Sequence, residues 1–112
     1  MIKKINFFPY YENLLLKEKK TTTIRLSEKT SYLNGEIISV TIGWSKKNNS
    51  ELYKAKITSS EIKKLKDLNK KDLIGESPDC KSTESIQYVL SCIYKKIISP
   101  NDKVSIIKFK KI

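Results

Sequence analysis

The stretch Lys19-Lys20-Thr21-Thr22-Thr23-Ile24-Arg25-Leu26 indicates the fold more clearly than any other part of the sequence. It is short and dense in β-branched residues, which predicts a strand over 21–26. Because side chains alternate along a strand, Thr21, Thr23 and Arg25 are expected on one face and mainly apolar side chains on the other. The apolar face would pack on the core, and the other face would carry two hydroxyls and a guanidinium.

The rest of the chain predicts a small α+β domain around that strand. In chain order we expect an extended segment over 5–8, a short helix over 10–17, strands over 36–43 and 52–58, a helix that begins after Ser82, and a terminal strand over 104–112. The segment 59–71 fits either a helix or a continuing strand. This order of elements favours a partly closed β-barrel with a short N-terminal helix and one longer helix before the last strand. We expect a single domain over residues 1–112.

The charge of the chain points to a polyanionic partner. Its 112 residues carry 23 basic and 12 acidic side chains, a net charge of +11, and Arg25 is the only arginine. Such a field attracts nucleic acid through counterion release. The alternative is a compositional bias, because lysine, isoleucine and asparagine are all abundant. A lone arginine in a chain so rich in lysine is a candidate binding residue, because its planar guanidinium forms paired hydrogen bonds that lysine cannot form.

The composition also excludes several classes of function. Histidine is absent, which removes histidine bases, the Ser/His/Asp triad and nearly all histidine metal sites. The two cysteines, Cys80 and Cys92, are too few for a structural zinc site, and reduced thiols are favoured over a disulfide. Apolar runs such as Leu14-Leu15-Leu16 fall far short of the roughly 20 residues of a membrane span. We expect a cytoplasmic monomer with no metal, cofactor, membrane contact or evident protein partner.

Two parts of the sequence are candidates for ligand binding. Lys20, Thr21, Thr23 and Arg25 offer a point charge, hydroxyls and a planar fork, which suit a phosphate or a base edge beside a cleft. An ordinary solvated strand face is the alternative for this set. Trp44 either stacks on an unpaired base or is a packing residue at the rim of the cleft or in the core.

Short segments along most of the chain form a pattern that is typical of one protein family. They are Phe7-Phe8, Leu14-Leu15, the signature 20–25, Tyr32, Gly35-Glu36, Lys54-Ala55-Lys56-Ile57, Leu68, Asp72, Glu76, Ile93-Tyr94, Asp102-Lys103-Val104 and Ile107-Lys108-Phe109. Together they resemble the ASCH family, a branch of the PUA-like fold linked with RNA binding. The resemblance implies a β-barrel whose signature strand lines a cleft for RNA or a modified nucleoside.

The same resemblance implies a catalytic alternative. A bacterial acetylcytidine amidohydrolase of this family uses a lysine, a threonine and a glutamate, which correspond to Lys20, Thr23 and Glu76 here, with Arg25 orienting the ligand. The expected function is thus RNA or nucleoside binding in a basic cleft, and the alternative is a metal-independent amidohydrolase acting on N4-acetylcytidine. The loop 75–80 is longer than in that enzyme and contains Asp79, so either carboxylate is a candidate. A ribonuclease and a protein-interaction module are the remaining alternatives.

Overall fold

A mixed sheet forms the frame of the molecule in a computed structural model that describes residues 2–26, 32–45, 47–76 and 82–112. Within these residues the sheet has five strands: β1 (Lys3–Phe7), β2 (Thr22–Leu26), β3 (Ile37–Gly43), β4 (Asn49–Lys64) and β5 (Lys103–Lys111). Their order across the sheet is β1-β3-β4-β5-β2. The pair β1–β3 is parallel, and the other neighbours are antiparallel. The expected strand over 21–26 is therefore present as β2, one residue shorter.

The helical segments are short, apart from the one that precedes the last strand. A 3₁₀ turn (Pro9–Tyr11) leads into α1 (Glu12–Leu16), and α2 (Lys70–Leu73) is a single turn. The longest, α3 (Thr83–Tyr94), begins at Ser82, whose hydroxyl accepts a hydrogen bond from the Ser85 N–H. The short first helix and the longer helix before the last strand are confirmed.

Strand β4 is longer than the sequence predicted and pairs with two neighbouring strands. Its first half pairs with β3, and its second half pairs with β5 as far as Lys64 opposite Lys103, with a register shift between Ile57 and Ser59. A 3₁₀ turn over Leu65–Asp67 then ends it. The second half is extended because it pairs with a strand some 40 residues later, roughly the separation of Lys64 and Lys103, and such pairing leaves no local pattern.

The curl of the sheet brings its two edge strands together. Although β1 and β2 lie at opposite ends of the strand order, Arg25 Nη2 on β2 donates a hydrogen bond of 2.5 Å to the Asn6 carbonyl on β1. The sheet is thus a half-barrel with an arginine across its seam. This confirms the expected α+β class and the partly closed barrel.

The core lies on both faces of β5. Ile107 and Phe109 pack inside the half-barrel with residues of β1, β3 and β4, whereas Val104 and Ile106 pack with α3. Alternate residues of one strand thus serve two apolar clusters, as expected for a strand covered on both faces. In the described part of the chain no helix has the length and apolar character needed to cross a membrane.

Candidate nucleoside-binding site

A cavity of about 780 Å³ opens between β1, β2 and α3. Lys20, Thr23, Arg25, Trp44 and Glu76 all line it, so the structure brings together five of the side chains that the sequence singled out. Lys20, Thr23 and Arg25 lie in or just before β2, whereas Trp44 follows β3 and Glu76 follows α2. The half-barrel is what assembles them.

A buried ion pair forms one wall of the cavity. The Lys20 ammonium donates to Glu76 Oε1, and the two side chains are only 5% and 4% exposed. Lys20 Nζ also lies 3.3 Å from the Thr22 carbonyl, 5.1 Å from the Tyr11 ring centroid and 5.5 Å from that of Phe7. The carboxylate, the carbonyl and the ring faces together offset the cost of removing this cation from water.

A glycine turn places Glu76 beside Lys20. The N–H groups of Thr21 and Thr22 donate to the Gly75 carbonyl at 2.8 and 3.1 Å, and Thr22 Oγ1 donates to the Ile74 carbonyl at 2.5 Å. Gly75 has a φ of +85°, and a Cβ added there would lie 2.4 Å from Thr21 Oγ1. Both the backbone conformation and the close approach therefore require glycine.

The surroundings of Thr21 therefore differ from those of Thr23 in the same signature. It packs against Gly75 and is absent from the lining of the cavity, whereas Thr23 is buried on that lining. Its backbone N–H holds the turn that carries Glu76. The structure therefore gives Thr21 a role in positioning the glutamate.

Arg25 joins the cavity wall to the seam of the half-barrel. Its Nε donates to Thr23 Oγ1 at 3.2 Å, and its Cζ lies 5.2 Å from the Phe7 ring centroid. Together with the bond to the Asn6 carbonyl, these contacts hold the guanidinium plane at the edge of the cavity. The hydrogen bond from Arg25 confirms that Thr23 and Arg25 share one face of β2.

Sequence reasoning missed a polar pair on the cavity wall. Thr41 Oγ1 donates to Asn6 Oδ1 at 2.8 Å, and Asn6 Nδ2 donates to the Gly43 carbonyl at 3.0 Å. Asn6 and Thr41 are register partners in the parallel pair β1–β3, and both line the cavity. Asn6 follows the ordinary alternation of a half-buried strand, with Ile5 and Phe7 buried on either side of it, so no local signal marked it.

The remaining candidates lie at or outside the edges of the site. Trp44 is 67% exposed and packs its ring on Phe8 at the cavity mouth, so it belongs to the rim and not to the core.

Glu76 is the carboxylate seen on the cavity wall, while Asp79 and Cys80 fall outside the described residues. Cys92 is an exposed free thiol on α3. Within the described ranges no cluster of three or more acidic or cysteine side chains is arranged to hold a metal.

The curled mixed sheet with its cavity is a half-barrel, and solved structures, an ASCH domain among them, share this fold. The ASCH domain from Lactobacillus crispatus JV V101 matches with a TM-score of 0.71, covering 97% of this chain and 79% of that domain at 14% identity. Protein EF3133 from Enterococcus faecalis V583, a DUF984 protein, matches with a TM-score of 0.74 over 100% and 81% of the two chains at 13% identity. The protein PH0355 matches with a TM-score of 0.69 over the full length of both chains at 22% identity.

These likenesses establish the fold of the chain. No protein-family model matches the sequence, and no curated protein matches it. The function is therefore argued from the cavity and its side chains.

Proposed function

We propose that the protein binds a nucleobase, in RNA or in a modified nucleoside, within the cavity beside β2. The observation that carries this proposal is the buried Lys20–Glu76 ion pair on the wall of a cavity of about 780 Å³. Pockets for small ligands span roughly 300–1,000 Å³ and combine apolar walls with a few polar groups. The cavity has both properties.

The chemistry of the ion pair suits the edge of a base. A nucleobase presents amino donors next to carbonyl or ring-nitrogen acceptors. A carboxylate has about four acceptor positions and an ammonium has three donors. Glu76 can therefore accept from an exocyclic amino group while it holds Lys20, and Lys20 can donate to the neighbouring acceptor.

The surroundings of the pair favour the same class of ligand. The half-buried ring of Tyr11 lines the cavity and offers an apolar face to a planar base, whereas Phe7 is buried against Lys20 and Arg25. Arg25 adds a fixed guanidinium, and the net charge of +11 attracts a phosphate backbone. Base recognition and backbone attraction thus come from different parts of the molecule.

Fluorescence anisotropy with a panel of single-stranded and hairpin RNAs at two salt concentrations tests this proposal. Arg25→Ala is expected to collapse the affinity, because it removes a cavity wall. Lys66→Ala is the matched control, since Lys66 is exposed and absent from the cavity lining; it is expected to reduce the salt slope by about one. Equal losses in the two variants, with circular dichroism showing intact folds, would mean that only general charge attracts the RNA.

A second candidate function is hydrolysis of N4-acetylcytidine, favoured by the presence of Thr23 on the same wall as the ion pair. In this reaction the oxygen of water ends on the acetyl carbon, the bond from that carbon to N4 breaks, and N4 takes a proton, which yields cytidine and acetate. The hydrogen bond from Arg25 Nε to Thr23 Oγ1 would stabilise an alkoxide at that oxygen. Lys20 and Glu76 would exchange the protons of nucleophile and leaving group.

Mass spectrometry of liberated cytidine tests the hydrolase directly. With folds shown to be intact by circular dichroism, Lys20→Ala and Thr23→Ala are expected to abolish release of cytidine, whereas Lys66→Ala keeps it. Wild-type protein that releases no cytidine from N4-acetylcytidine, as nucleoside or within RNA, would remove this candidate and leave the binding proposal in place.

A further inference from the structure

Three aromatic rings stand at the mouth of the cavity because two parallel strands end side by side. The last register pair of β1 and β3 is Phe7 opposite Ile42. The chain segments that leave these strands therefore emerge at the same edge of the sheet. Phe8 and Tyr10 follow β1, and Trp44 follows β3. We call these three rings the aromatic rim.

The rings of the aromatic rim contact one another and remain open to solvent. Their centroids are 5.7 Å apart for Phe8–Tyr10, 5.9 Å for Phe8–Trp44 and 5.9 Å for Tyr10–Trp44. Tyr10 and Trp44 are 65% and 67% exposed. Rings held in place by one another but left in water form a preorganised apolar surface, which is typical of a binding site.

The aromatic rim is continuous with the cavity and with positive charge. Phe8 and Trp44 line the cavity, as does the exposed Lys4. The edge of Tyr10 packs on Tyr11, with centroids 5.0 Å apart, and Tyr11 contacts the Lys20 ammonium. A path of rings thus leads from the buried ion pair to the surface, with a lysine beside it for a phosphate.

We infer that the aromatic rim is a second base-binding subsite. The ligand is then a single-stranded oligonucleotide. One of its bases enters the cavity, and the neighbouring base stacks on the aromatic rim. This inference rests on the proposed function and specifies its ligand. A free nucleoside has one base and no bridging phosphate, and it would leave the rim and Lys4 unused. Aromatic stacking tolerates any base, so the rim adds affinity more than sequence preference.

The experiment compares two probes, cytidine and an oligocytidylate of about five nucleotides. Isothermal titration measures both affinities, and the fluorescence of Trp44, the only tryptophan, reports stacking. The variants are Trp44→Ala, Trp44→Phe and, as control, Tyr88→Ala. Tyr88 is 70% exposed on α3 and does not line the cavity.

The oligonucleotide is expected to bind more tightly than cytidine and to quench Trp44. Trp44→Ala should reduce the ratio of oligonucleotide to cytidine affinity at least about fivefold, with Trp44→Phe retaining most of it and Tyr88→Ala all of it. An unchanged ratio in Trp44→Ala overturns the rim subsite, while cytidine binding that is retained in Trp44→Ala leaves the cavity proposal intact. Failure of both probes to bind overturns both proposals.

Discussion

Two ion pairs hold the segment around α2 against the rest of the molecule, and their surroundings differ. Lys63 Nζ lies 3.0 and 3.3 Å from the carboxylate oxygens of Asp72, and its side chain is 27% exposed. Asp72 also accepts from the Asn69 N–H at 3.0 Å and so caps α2. The Lys20–Glu76 pair is almost fully buried, and it lies on the cavity wall.

The two pairs differ in exposure and in what else their carboxylates contact. The acceptors of Asp72 are occupied in starting a helix, and solvent reaches its lysine. The buried pair must overcome the loss of hydration of two charges, and apolar residues of similar volume would stabilise the fold as well or better. The cost of this pair and its place on the cavity wall are the basis of the proposed function.

Breaking the buried pair from one side should have the largest effect on stability. Lys20→Met leaves the Glu76 carboxylate buried without its cation, and we expect a loss of about 3–5 kcal/mol in the free energy of unfolding. The double variant Lys20→Met/Glu76→Leu should recover most of that loss, because it removes both charges. Urea denaturation of the single and double variants measures this. A double variant that is as unstable as Lys20→Met would show that the pair itself stabilises the fold.

Disturbing the turn that positions Glu76 should have the next largest effect. Gly75→Ala combines a left-handed φ with a Cβ 2.4 Å from Thr21 Oγ1, whereas Gly35→Ala has a similar φ of +86° and meets nothing within 4 Å. We expect about 1–2 kcal/mol of destabilisation for Gly35→Ala from the backbone alone. Gly75→Ala should cost about 1–3 kcal/mol more from overpacking and should also weaken ligand binding. Equal losses in thermal denaturation would contradict the close packing of the turn on β2.

Breaking the Lys63–Asp72 pair, whose lysine is partly exposed, should have the smallest effect. The hydrogen bond from Lys63 to Asp72 raises the pKa of Lys63 above its ordinary value of 10.5. A raised pKa in the folded state stabilises the fold below the ordinary value, and the contribution is lost as the pH rises through the folded-state value. The small stability difference between wild type and Lys63→Met should therefore be present at neutral pH and vanish in strong alkali. Urea denaturation across that range measures it, and a difference that grows with pH would contradict the assignment.

Local patterns predicted the elements that position the site. The β-branched run of β2 and the capped, periodic helix α3 are encoded by adjacent residues, and both are present near the expected positions. The assembly of the signature face with Glu76 was expected from the family resemblance. The structure supplies the physical cause, which is the Gly75 turn bonded to the backbone of β2.

The features that escaped prediction depend on contacts between distant strands. The extension of β4 to Lys64 requires β5, and the Asn6–Thr41 pair requires the parallel register of β1 and β3. The aromatic rim has the same origin, since nothing near Phe8 in the sequence indicates that Trp44 lies beside it. Sequence periodicity reports which face a residue occupies but not which strand it meets.

The most direct test of the account is calorimetric titration of cytidine and N4-acetylcytidine into wild type, Lys20→Met/Glu76→Leu and Lys63→Met. The account predicts that the double variant remains folded but loses affinity about a hundredfold or more, because two charge-assisted hydrogen bonds to the base are gone. Lys63→Met should bind as wild type does. Undiminished binding by the folded double variant would contradict the claim that the buried ion pair recognises the ligand.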